Sequence, residues 1–179
     1  MFEMNPDFFE IDRLIPLGMW PRSTMTSRGL IPYVNRMASR EEKIKITIVG
    51  DLKGESVVDL LENCPKIFRV YVVNEYEDNE EGQKLKKLFD KNTEKYKDKI
   101  KFMADRQSNF VCIERESCTP ENLEKYYSLV RIGGIFAGNG HEYVDVKESL
   151  GKFRRDVKIG TPVLISNRAT WFWHKRGKL

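Results

Sequence analysis

The chain has 179 residues, 40% of them hydrophobic, which is enough to bury one substantial core and suggests no second domain. Its 31 basic and 27 acidic residues are well mixed and leave a net charge of +4, which permits an anionic partner but gives no ground for expecting nucleic acid. No apolar run approaches the ~20 residues that span a bilayer, and an N-terminus bearing Glu3, Asp7, Glu10 and Asp12 does not read as a signal peptide, so a cytoplasmic protein away from membranes is expected.

Residues 1–40 stand apart as an arm rich in Pro, Met, aromatics and Arg, with Pro6, Pro16, Pro21 and Pro32 breaking any long periodicity. An irregular course is expected, with one short helix over 32–39. Side chains such as Phe8, Ile11, Leu14, Leu17 and Trp20 are too apolar for a free tail, so the arm should pack across the domain's ligand edge or onto a second copy in a homo-oligomer.

From residue 41 to 179 the pattern becomes that of a single α/β domain. Apolar runs predict strands over 44–49, 69–73, 100–103, 110–113, 135–137, 163–166 and 170–173. Helices are predicted between most of them. Residues 55–63 carry Val57, Val58, Leu60 and Leu61 and stop at Cys64-Pro65; residues 80–96 place Leu85, Leu88 and Phe89 on one face. Thr119-Pro120-Glu121 is a helix start, since Thr caps, Pro suits the first turn and Glu complements the dipole. Residues 144–157 set Val146, Leu150, Phe153 and Val157 at helical spacing. Strands and helices in alternation imply a mostly parallel sheet covered on both faces. Cys64, Cys112 and Cys118 are odd in number and lack metal-ligand spacing, so reduced structural thiols are expected.

The run from Lys45 to Val58 reads as a buried strand, a glycine turn and a helix start, the place where α/β proteins bind nucleotides. Gly50 permits a sharp turn, and Gly54 lets a ligand or a neighbouring helix approach without a Cβ between them. Free N–H groups at the helix start would face the ligand, with Asp51 pointing into the site. Glu114 and Glu116 end the fourth core strand. They suit a general base, or with Asn139 the ligands of a hard cation, or a solvated acid pair neutralised by Arg115. His141 follows the next strand and is the better acid/base candidate, and His174 reads as structural. Trp171-Phe172-Trp173 reads as core and sheet edge. The basic residues about it, among them Lys152, Arg154, Arg155 and Lys175, give only a weak signal for an anionic partner.

The glycine turn resembles motif I of the class I S-adenosylmethionine (SAM) dependent methyltransferases, in the branch reading Glu-X-Gly-X-X-X-Gly-Glu-Ser, through Gly50, Gly54, Glu55 and Ser56. Asn109 to Ser117 is similar to that branch's fourth-strand segment, Leu129 to Gly138 to its Gly-Gly turn into strand five, and Thr170 to Lys175 to its closing aromatic strand. The resemblance covers about residues 43–176. It implies a Rossmann-like, mostly parallel seven-stranded sheet with the last strand antiparallel, a SAM cofactor, and methyl transfer to a small-molecule or glycosyl-type acceptor. Carried over by position, it implies a cofactor site of Gly50, Asp51, Gly54, Ser56, Glu75, Asp105 and Glu114, no metal, and His141 or Glu116 as the base. Four positions depart from the branch: Ile48 and Asn74 replace acids, Ser117 replaces a His, and Asn139-Gly140-His141 replaces His-Asp-Tyr. These departures support an alternative, a degenerate methyltransferase fold that serves as an interaction or assembly subunit.

Overall fold

The computed structural model describes residues 8–10, 26–103, 106–166 and 169–177. Its architecture follows from strands that are apolar on both faces. In Ile44–Val49 (β2), five of six residues are buried, and all six residues of Ser108–Ile113 (β5) are. Such strands need a helical layer above and another below. The remaining strands are Phe8–Glu10 (β1), Ile67–Val73 (β3), Ile100–Phe102 (β4), Val130–Gly138 (β6), Val163–Ser166 (β7) and Thr170–His174 (β8). They form one sheet in the order β1-β7-β8-β6-β5-β2-β3-β4. Every pairing is parallel except those of β8, which runs antiparallel to both β6 and β7.

The helices are Thr26–Ala38 (α1), Glu55–Asn63 (α2), Glu80–Thr93 (α3), Pro120–Tyr127 (α4) and Val144–Asp156 (α5). Strand alternation divides the core between them. Ile46, Ile48, Phe110, Cys112 and Phe172 meet Leu30 and Val34 of α1, Val57 and Leu60 of α2 and Phe89 of α3. The intervening residues Val49, Val111, Ile113, Trp171 and Trp173 meet Leu123 of α4 and Leu150 and Phe153 of α5. Thr119 accepts from the Asn122 N–H at 3.2 Å and Pro120 opens α4, so that start forms as its residues dictate.

Several expectations change. Seven strands come from residues 44–174 as expected, and β1 adds an eighth, so part of the arm is regular. The rest of the arm before Thr26, with the packing and homo-oligomer assigned to it, lies outside the described residues. Helix α1 begins six residues before Pro32 and contains it. Leu30, Val34 and Ala38 recur every fourth residue and are buried, while Pro32 takes the exposed face; the buried stripe offsets the proline's ~3 kcal/mol cost. Leu88 is exposed, so α3 buries a narrower face than its apolar residues suggested, and Val157, also exposed, lies just past the end of α5. Strand β6 starts at Val130, earlier than its apolar run. β8 is interior, flanked by β6 and β7, and Trp171, Phe172 and Trp173 are fully buried with no face free for stacking. Arg154 is buried too, donating to the Thr161 carbonyl at 2.6 Å and lying over the Trp173 ring. The three cysteines are free thiols in the core.

Phe136 is the keystone of the second layer. It is fully buried, and its ring centroid lies 5.3 Å from Tyr127, 5.5 Å from Trp171 and 5.2 Å from Trp173. Phe136→Ala should cost about 3–5 kcal/mol in chemical denaturation, because these three rings and that of Phe153, 6.3 Å away, cannot collapse into the space.

Candidate functional site

The carboxyl ends of β2, β3, β5 and β6 open onto a cleft of about 650 Å³. It sits where the chain leaves β2 for strands on one side and returns to β5 and β6 on the other, the crevice in which open α/β sheets bind ligands. Gly50 and Asp51 form its floor, with Glu75, Glu114, Glu116 and Asn139 around it.

The turn from β2 into α2 is built by two left-handed glycines, Gly50 at φ 87° and Gly54 at φ 76°. A Cβ on Gly50 would lie 2.4 Å from the Ser117 hydroxyl oxygen. Gly54 faces the other way: its Cβ would lie 2.7 Å from Thr93 Cγ2 and 3.1 Å from the Phe89 ring, and Gly54 is absent from the cleft lining. Of the two approaches its sequence allowed, the helical one is made. Gly54→Ala should therefore lower the melting temperature, by strain and by collision with α3, whether or not a ligand is present.

Asp51 changes the expected role of the helix start. Gly54 offers α2 no side-chain cap. Instead the buried Asp51 carboxylate accepts from the Val57 N–H at 2.9 Å and also bonds the N–H groups of Glu55 and Ser56. The N–H groups expected to be free are taken by the chain's own acid. Burial raises the Asp51 pKa to about 6 despite those bonds.

Asn74 directly follows β3. Its amide nitrogen donates to the Asp51 carbonyl and to the Tyr76 hydroxyl, both at 2.9 Å, and that hydroxyl donates to the Leu52 carbonyl at 3.2 Å. A carboxylate here would set acceptor against acceptor, so the loop calls for an amide. The Asn74 side-chain oxygen is buried without a hydrogen-bond partner. Glu75, one residue on, is exposed and lines the cleft.

Glu114 ties the far wall together. One oxygen accepts from the Ser56 hydroxyl at 2.8 Å and the other from the Asn139 amide at 2.7 Å. Glu116 is exposed on the short 3-10 helix Arg115–Ser117 that follows. Arg115 does not neutralise the acid pair as one reading allowed; its guanidinium lies 3.4 Å over the Tyr143 ring and 3.8 Å from Asp145.

These observations gather Gly50, Asp51, Ser56, Glu75, Glu114 and Glu116 into one site and leave others out. Ile48 is fully buried in the core. His141 is outside the cleft lining, its backbone N–H donates to the Ala169 carbonyl, and burial with Lys147 nearby lowers its pKa to about 4. Asp105 lies outside the described residues. Leu85, Asn122 and Tyr126 also line the cleft. Their sequence signal was that of ordinary helix residues, and nothing marked them for a site.

No protein-family model matches the sequence, nor does any curated protein. Solved structures do. A cofactor-bound protein from MTB superposes with a TM-score of 0.60 at 13% identity, over 89% of this chain and 85% of its own. The O-methyltransferase TomG from Streptomyces achromogenes, in complex with SAM, gives 0.58 at 11% identity over 84% and 81%. A SAM-dependent O-methyltransferase from Thermotoga maritima gives 0.58 at 18% identity, over 83% of this chain and 65% of its own. The chain has the class I methyltransferase fold. Among the described residues, no helix of this methyltransferase-like domain is long and apolar enough to cross a membrane.

Asp51 gives the methyltransferase-like domain a pH signature. An acid whose pKa is raised on folding adds stability that is complete below its ordinary 3.8 and is lost as pH rises through about 6. The cost of ionising Asp51 in place is roughly 3 kcal/mol. Asp51→Asn should remove this component, so the difference in unfolding free energy between variant and wild type should shift in the variant's favour between pH 4 and pH 6. Parallel stability curves over that window would show that Asp51 does not titrate there.

Proposed function

We propose that the chain is a SAM-dependent methyltransferase acting on a small-molecule or glycosyl-type acceptor. The observation that carries this reading is the cleft at the carboxyl edge of the sheet, lined by carboxylates and amides, in a fold shared with proteins solved in complex with SAM. The residues present suit that cofactor. The cleft is of a size for a nucleoside with a side arm. Gly50 keeps the floor free of side chain. Glu75 is an exposed acceptor for ribose hydroxyls at the strand end where Asn74 is already engaged, and Glu114, fixed by Ser56 and Asn139, forms a rigid wall on the β5 side of the cleft.

Bound SAM supplies a sulfonium methyl group that the acceptor's lone pair takes up as the carbon–sulfur bond breaks, its electrons remaining on sulfur in the thioether product. The protein's task is then alignment and, for a hydroxyl acceptor, proton removal. Glu116 is the candidate for the latter, because it is exposed and lines the cleft. His141, the other candidate base, stands away from the lining.

The second reading, a degenerate fold acting as an interaction subunit, is favoured by Ile48 and Asn74, which serve the core and the turn where ligand acids were expected. Calorimetry separates the two. SAM should bind, and Glu75→Gln should weaken it by about 1–3 kcal/mol, the usual cost of losing hydrogen bonds to a charged group. Glu116→Gln should depress turnover far more than cofactor affinity, while His141→Gln should leave turnover near wild type. No heat and no thermal shift with millimolar SAM would remove the enzyme reading and favour the interaction subunit.

A further inference from the structure

A second hollow lies at the edge of the sheet opposite the cleft. Strand β8 runs antiparallel to β6, with Trp171 opposite Gly138 and His174 opposite Ile135, so the end of β8 meets the start of β6, away from the carboxyl edge. There the last turns of α1 and the residues after it stand over the pair of β6 and β8 and enclose about 420 Å³. The floor is apolar. Ile135 is buried, Met37 is half-buried, and the Tyr33 ring packs on Phe172 with 4.6 Å between centroids. Arg36 and Arg40 line the same hollow, and His174 adds an exposed imidazole from the end of β8.

The two arginines are not used by the fold around them. Glu41, the carboxylate in this lining, has each oxygen engaged elsewhere, one by the Arg131 guanidinium and the other by the Asn109 amide at 2.9 Å. Asn109 is buried, accepts from the Lys45 N–H at 2.9 Å and reaches the Met37 sulfur at 3.7 Å, so it pins the end of α1 to β5 and holds the hollow's shape. Among the described residues, neither Arg36 nor Arg40 makes a side-chain hydrogen bond or ion pair. Arg36 complements the dipole at the end of α1, but Arg40 lies past that end, and like charges four residues apart repel. From this pair of unengaged guanidiniums beside an apolar floor, we propose that the hollow binds a small organic anion. Its compact apolar body would lie on Ile135, Met37 and Tyr33, with one carboxylate or phosphate group at Arg36 and Arg40. An arginine fork suits either group, and the apolar floor separates an organic anion from a bare one. The cleft plays no part in this site, which therefore stands or falls independently of the methyltransferase reading.

The test is amide-detected NMR on the whole chain, titrated with phenyl phosphate, benzoate, inorganic phosphate and benzyl alcohol. Phenyl phosphate or benzoate should shift the signals of residues 33–41 and 133–135 in a saturable way, and the tighter of the two identifies the anionic group. Inorganic phosphate should bind more weakly for want of the ring, and benzyl alcohol should not bind detectably for want of the charge. Arg36→Gln and Arg40→Gln should each weaken the aromatic anion about two- to fivefold, and further when combined, the range expected of exposed charge contacts. Both side chains are exposed, so the variants should keep the wild-type spectrum elsewhere. Lys101→Gln, an exposed cation on the edge strand β4, should leave the affinity unchanged. Raising salt should weaken binding. No saturable shift with either aromatic anion at about 10 mM, equal binding by benzyl alcohol, or an affinity indifferent to the double variant overturns the site.

Discussion

The bond network around Asp51 is the constraint from which the rest of the cleft follows. Its side chain closes the first turn of α2, and its backbone carbonyl receives the Asn74 amide from the neighbouring strand end. One residue therefore fixes the turn to the helix after it and to the strand beside it. Without a local cap on Gly54, α2 would begin with several unsatisfied N–H groups, a cost comparable to several lost hydrogen bonds. Burying a carboxylate to meet them is itself costly, as its raised pKa records, but the alternative leaves buried donors unpaired.

With α2 so fixed, Ser56 on its first turn reaches Glu114 at the end of β5, and Glu114 reaches Asn139 at the end of β6. A chain of side-chain bonds thus runs along the carboxyl edge of the sheet, from β3 through the β2–α2 turn to β6. Each link is a donor meeting an acceptor, and the parallel pairing of β2 with β5 and of β5 with β6 sets their spacing. Glu75 and Glu116 lie at the solvent side of this chain, exposed and adjacent to groups that are held. This is the division a binding site needs: fixed polar walls that cost nothing to organise when a ligand arrives, and a few carboxylates still open to it.

The sequence carried the strands well where both faces are apolar. β2, α2 and β7 have the limits their residues imply, because Ile, Val and Leu runs end there at Gly, Pro or polar residues. Legibility failed where tertiary contact outweighed local preference. Pro32 argued against a long first helix, yet Leu30, Val34 and Ala38 bury one face of it. Val130 to Gly134 carry an arginine and two glycines, a poor strand by composition, but Val130 pairs with Ser108 of β5 and the strand continues through a register shift to Ile135, which extends β6. In the cleft, the positions of Gly50, Glu75, Glu114 and Glu116 were readable from strand ends. The Asp51 cap, the orientation of Gly54 and the withdrawal of His141 were not, since each depends on which neighbour the backbone brings near, and no spacing within the chain encodes that.

The departures from the family's acids become coherent once the network is considered as a whole. An acid at position 48 would enter a site where Ile48 is fully buried between Val72 and Cys112, with nothing but core around it. An acid at position 74 would face the Asp51 carbonyl and stand close to a carboxylate already hard to ionise, raising its pKa further. Given Asp51, isoleucine and asparagine are therefore the residues the geometry accepts, and the acids at this end of β2 and β3 that line the cleft are Asp51 and Glu75. On physical grounds a redistributed set of charges still makes a ligand site, because the electrostatic potential in a cleft depends on the sum of charges around it more than on which backbone position carries each.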